Sequence, residues 1–290
     1  MKFLTFILAI IAVSSIGTAR AADLTASETI GYGKTQVIAL SSCPPYRPDL
    51  AGVCATVVNR FTEVMRDTLK IPPENITALV GEDTSYANFT KVLADKQAKT
   101  TKDMRTIFFL NVHGMIDHME ADSSGIQDHE LIALWTPEKP FAVQAAIAQK
   151  QWMLSSDLRD IIDTFEGEKI IIIDSCHAGA AEADLKHHPI AKDIDNNEAV
   201  IVSAGAEEYA HLTADQGMAL FTARLADVIE GGSADWGHAL RISRKLTEKE
   251  SYEICKVTPE CSQIPKELWT QTPRIYDPEG LLEKMPIVAN

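Results

Sequence analysis

Lys169-Ile170-Ile171-Ile172-Ile173-Asp174-Ser175-Cys176-His177-Ala178-Gly179 is the stretch that decides the fold. Its four consecutive isoleucines do not alternate with polar residues, so neither face of the strand they form can look at water. Such a strand belongs inside a parallel sheet covered on both sides. The apolar run stops at Asp174, and Ser175, Ala178 and Gly179 surround a thiol and an imidazole. In open parallel sheets, ligands gather beyond the carboxyl ends of the strands. Cys176 is therefore expected where a substrate would sit.

A second stretch repeats the format upstream. Arg105-Thr106-Ile107-Phe108-Phe109-Leu110-Asn111-Val112 runs into His113-Gly114. If the two strands are neighbours, His113 and Cys176 face one cleft. Between and around them, apolar spacing predicts strands over 35–40, 76–80, 105–112, 169–174 and 199–203, with a small strand at 131–135. Helices are predicted over 54–69, 84–98, 155–165 and 218–229, and a last helix capped by Ser233 runs to about 249. Strands alternating with helices make an α/β protein with a mainly parallel sheet between helical layers. No internal repeat or interdomain linker appears, so residues 22–290 are expected to form one domain. The Pro- and Cys-containing tail, 252–290, is expected to be irregular and stapled to the body.

The first 21 residues read differently. Lys2 precedes the apolar run from Phe3 to Val13, and the small-residue segment that follows ends Ala19-Arg20-Ala21. This is the pattern of a signal peptide cleaved after Ala21. The run is too short to cross a bilayer, which takes roughly 20 apolar residues. A secreted or periplasmic protein with no membrane attachment after processing is expected. The chain carries a formal charge of -14, from 27 basic and 41 acidic residues; losing Lys2 and Arg20 with the leader makes it -16. That field repels phosphate backbones and excludes nucleic acid as an expected partner, while it favours cationic ligands at low salt.

Of five cysteines, Cys43 and Cys54 are close in sequence, as are Cys255 and Cys261. Local pairing in an oxidising compartment leaves Cys176 over as the odd thiol, although four cysteines allow three connectivities. The alternative is five reduced, buried thiols. A thiol has an ordinary pKa of about 8.5, so it needs a neighbouring imidazole or a helix start to become a better nucleophile. His113, and a helix beginning after Ala178, are the expected sources. Gly114 leaves room for a substrate, and its N–H with that of Cys176 forms a candidate oxyanion hole.

Strand–His113-Gly114 and strand–Asp174-Ser175-Cys176-His177-Ala178-Gly179 resemble the two catalytic segments of caspase-like cysteine peptidases, especially metacaspases and their bacterial relatives. Ile201-Val202-Ser203-Ala204 with Glu207-Glu208, and Leu220-Phe221-Thr222, resemble the family's next two segments, and the order fits from about Thr35 to Lys249. The resemblance implies a caspase-like three-layer αβα sandwich, a Cys176–His113 dyad and a peptide or protein substrate. It also implies that Asp174, with Ser203 nearby, binds an Arg or Lys side chain before the scissile bond. The family's usual Ser-Gly-His-Gly is here Asn111-Val112-His113-Gly114. The linker 180–197, with Lys186 and Lys192, corresponds to a segment that such proteins can cleave during maturation.

No cofactor is required by this chemistry. Calcium, which metacaspases often need, would draw on Asp122, Asp128 and Glu130, although no EF-hand pattern is present. His177, His187 and His188 read as loop histidines rather than a zinc site. Competing readings are a legumain-like or gingipain-like peptidase with another specificity, a catalytically silent binding module of the same fold, and a thiol-transfer protein. The last lacks a C-x-x-C motif.

Overall fold

The computed structural model describes residues 30–43, 45–118, 128–186 and 197–287. The expected leader, 1–21, lies outside them, as does most of the linker that includes Lys192. In chain order the elements are β1 (Thr35–Ser41), α1 (Ala51–Glu63), β2 (Ile76–Val80), α2 (Tyr86–Gln97) and β3 (Arg105–Asn111). Then come β4 (His113–His118), β5 (Asp128–Ala133), α3 (Val143–Ala148), β6 (Met153–Leu154) and α4 (Ser155–Asp163). The rest are β7 (Glu168–Asp174), α5 (Gly179–Lys186), β8 (Glu198–Val202), α6 (Leu220–Glu230), α7 (Trp236–Val257) and β9 (Arg274–Tyr276).

The main sheet has six strands in the order β2-β1-β3-β7-β8-β9. All pairs are parallel except β8–β9. Every residue of β7 is buried, as its isoleucine run requires. One face packs Ile170, Ile172, Phe109 and Ile107 against α1, α6 and α7, with Phe61 stacked on Phe109 at 4.0 Å between ring centroids. The other packs Ile171, Ile173, Phe108 and Leu110 against α2, α4 and α5, with Phe165 edge-on to Phe108. Burial on both faces is the sandwich that the β7 run implied.

Four of the departures from the predicted elements have a physical reason in view. The helix that begins at Ala51 changes to a wider π turn over Val64–Thr68, because Lys70 turns left-handed (φ 58°) ahead of Pro72 and Pro73. The strand before the histidine ends at Asn111, and His113 begins a separate strand of a three-stranded antiparallel sheet, β4-β5-β6. The last helix runs to Val257 and carries Cys255. The tail is not wholly irregular: Arg274–Tyr276 pairs antiparallel with β8, a contact too short to leave a period in the sequence.

Two disulfides hold the ends of helices. Cys43–Cys54 joins the loop after β1 to the first turns of α1, and Cys255–Cys261 closes the end of α7 on the following turn. Cys176 is the free cysteine. Among the described residues, no helix is long and apolar enough to cross a membrane.

Candidate functional site

The register of the sheet sets the site. Asn111, the last residue of β3, lies beside Asp174, the last residue of β7, so both strands deliver their next residues at one level. Asn111 is one of the two residues that depart from the usual motif, and its side chain joins three strand ends. Its Nδ2 donates to the Asp174 carbonyl at 3.1 Å, and its Oδ1 accepts from Ser41 Oγ at 2.7 Å. From this anchored edge the chain turns through Val112 into β4.

Beyond β7 the turn that carries Cys176 is tightly held. Ser175 N–H donates to Ser203 Oγ at 3.1 Å, and the Ser175 hydroxyl donates to the Glu130 carboxylate in a short hydrogen bond. His177 adopts a left-handed φ of 61°, its N–H donates to Glu208 O at 2.8 Å, and its Nδ1 contacts Ala206 O at 2.8 Å. A strained residue held on several sides beside a reactive one is characteristic of functional turns. Gly179 permits the return: a Cβ there would strike the backbone of Gly205 and Ala206.

His113 and Cys176 line one cleft of about 250 Å³, with Asp174, Ser175, Ala210 and His211. The Cys43–Cys54 disulfide forms part of its wall. The His113 and Cys176 segments touch: a Cβ on Gly114 would collide with the Cys176 carbonyl, the Glu130 carboxylate and the Ser175 hydroxyl. Glycine at 114 is thus a condition of bringing the two strand ends together.

The electrostatics of the thiol differ from the expectation of a lowered pKa. Burial pushes Cys176 above the ordinary thiol value, and the Glu130 and Asp174 carboxylates push the same way, while backbone hydrogen bonding at Ala210 opposes them. The α5 helix starts at Gly179, three residues after Cys176. Asp174 is itself buried, and desolvation raises its pKa. Its Oδ2 accepts from the Thr222 hydroxyl at 2.6 Å and the Thr222 N–H at 3.2 Å, which caps the start of α6. Its Oδ1 has no hydrogen-bond partner among the described residues. Ser203 lies behind the turn that carries Cys176, where its hydroxyl holds Ser175.

The positions of two residues around the cleft were hidden from sequence reading. His211 reaches the cleft from the segment before α6; burial pushes its pKa down, and its Nδ1 lies 4.0 Å from Cys255 Sγ. Glu130, first considered as a calcium ligand, points into the protein toward Ser175. Asp122 lies outside the described residues, as do His187 and His188. His211, Cys255 and Cys261 are close enough to share a metal ion, but the two sulfurs are bonded to each other.

No protein-family profile and no curated protein matches the chain. Solved structures do. Caspase-1 of the insect Spodoptera frugiperda superposes with a TM-score of 0.54 at 12% identity, over 86% of this chain and 88% of that one. A protein of Geobacter sulfurreducens superposes with a TM-score of 0.53 at 13% identity, over 86% of this chain and 97% of that one. The six-stranded sheet between two helical layers is thus a caspase-like fold.

Proposed function

We propose that the protein is an exported cysteine endopeptidase that cleaves after Arg or Lys. The observation that carries this is the convergence of His113 and Cys176 on one cleft at the carboxyl edge of the sheet, with Gly114 packed on the Cys176 peptide. The two disulfides agree with an oxidising destination.

In the proposed reaction, His113 takes the thiol proton as Sγ bonds to the scissile carbonyl carbon. The oxyanion is met by the N–H groups of Gly114 and Cys176. When the C–N bond breaks, His113 returns the proton to the leaving amine, and an acyl-enzyme remains. Water, deprotonated by His113, then attacks the thioester and releases the carboxylate and the thiol. Because the resting thiol is held protonated, His113 acts as a general base during attack rather than as the partner of a preformed thiolate.

The specificity rests on Asp174. A buried carboxylate with one oxygen unbonded is costly, and a guanidinium or ammonium of the substrate would complement it. The test is a panel of peptides varied at the residue before the scissile bond, assayed with wild type, Cys176→Ala and His113→Ala. Hydrolysis after Arg and Lys, lost in both variants, is expected. Preference for Asp or Asn at that position defeats the specificity, and hydrolysis that survives Cys176→Ala defeats the mechanism.

A further inference from the structure

Glu130 sits on β5, opposite Ile116 and two residues from the partner of Gly114 on the strand that begins with His113. Its side chain is fully buried. The carboxylate passes over Gly114, in space that any Cβ would fill, and accepts from the hydroxyl of Ser175, the residue before Cys176. Its own N–H donates to Ser155 Oγ at 3.1 Å, at the start of α4. One carboxylate therefore touches the neighbour of the histidine and the neighbour of the cysteine, and its backbone is tied to a helix on the sheet's outer layer.

These strands belong to different sheets, so no ladder of backbone hydrogen bonds spans them. We propose that Glu130 is a positioning residue that fixes the imidazole of His113 and the sulfur of Cys176 relative to each other by bridging Gly114 and Ser175. The inference rests on the peptidase reading above. A buried carboxylate is expensive to keep, and a neutral amide or hydroxyl would serve a merely structural link at lower cost. The charge has a second effect: together with burial and Asp174, it favours the protonated thiol. The sulfur thus keeps its proton until His113 removes it.

Among the described residues, the charged and titratable groups that line the cleft with Cys176 are His113 from β4, Asp174 from β7, His211 before α6 and Arg47 after β1, and Glu130 from β5 acts on the thiol through its charge. Glu130→Gln changes one of them while keeping an acceptor for Ser175.

The test combines iodoacetamide alkylation of Cys176 across pH with hydrolysis of an Arg-containing peptide. It uses Glu130→Gln, Glu130→Ala, Ser175→Ala and the double alanine variant, with thermal unfolding as a control. Glu130→Gln is expected to keep kcat within about threefold and to lower the alkylation pKa. Glu130→Ala and Ser175→Ala should each lower kcat by about 10- to 100-fold with little change in KM, as misplacement of reacting groups does. The double variant should lose no more than the worse single one, because both remove one link. Losses that multiply, or an alkylation profile unmoved in Glu130→Gln, overturn the proposal. If Glu130→Ala does not fold, Glu130→Gln and Ser175→Ala still decide it. A wild type that hydrolyses no peptide sinks the peptidase reading, whereas the alkylation profile tests Glu130 regardless.

Discussion

At Cys176 the surroundings favour the thiol, and two consequences can be measured. Burial and two carboxylates raise its pKa, so alkylation of the free protein should rise with pH past 9 rather than level off near neutrality. His113→Ala should abolish hydrolysis while leaving alkylation at high pH largely intact; loss of both would mean a collapsed cleft. Asp174 tests the cost of a buried carboxylate proposed to bind the substrate's cation. Its folded pKa is raised, so its ionisation weakens the fold: the penalty is absent below the ordinary carboxylate range and complete above the raised value. Asp174→Asn, which can still accept from Thr222, should therefore gain stability relative to wild type as pH rises from 4 to 8, and lose cleavage after Arg and Lys. Denaturant unfolding at both pH values checks the sign. Cys176 and His113 were legible because each follows a long apolar strand. Glu130 and His211 were not, because what they touch is set by pairing between strands and by a tail that returns from far along the chain.

Elements announce themselves in proportion to their apolar length. β3 and β7 were plain in the sequence, since seven-residue buried strands admit no polar alternation. The turn of the chain after Asn111, which moves His113 into the smaller sheet, left no such mark; polar residues and glycine in β4 blur the period. That turn depends on Gly114. Gly114→Ala forces a methyl group against a carbonyl, a carboxylate and a hydroxyl, and should cost about 1–3 kcal/mol as overpacking while separating His113 from Cys176, the proposed dyad. A fall in Tm without a fall in kcat would contradict this placement. The Cys43–Cys54 link closes a short loop at the cleft wall, and its removal by paired serines should cost about 2–3 kcal/mol, read by thermal unfolding under non-reducing conditions.

The candidate site and a buried ion pair lie at opposite edges of the main sheet. At the amino edge, Arg105 and Glu168 form a buried ion pair across β3 and β7, and Arg105 Nη1 also donates to Ile30 O at 3.0 Å. Glu168→Gln leaves a buried guanidinium without its counter-charge, which should cost about 3 kcal/mol with kcat unchanged. A large change in kcat would show that the edges communicate. The surplus of acidic residues gives the molecule a long-range field, so kcat/KM for a dibasic peptide should fall between about 50 and 200 mM salt. Arg274–Tyr276 has a different importance. It lies along Val200–Val202 and satisfies amides and carbonyls that an edge strand would otherwise offer to any extended chain. The molecule thus blocks its own outer seam with its tail, and a chain cut short before Arg274 would be open to strand-by-strand association with its own copies.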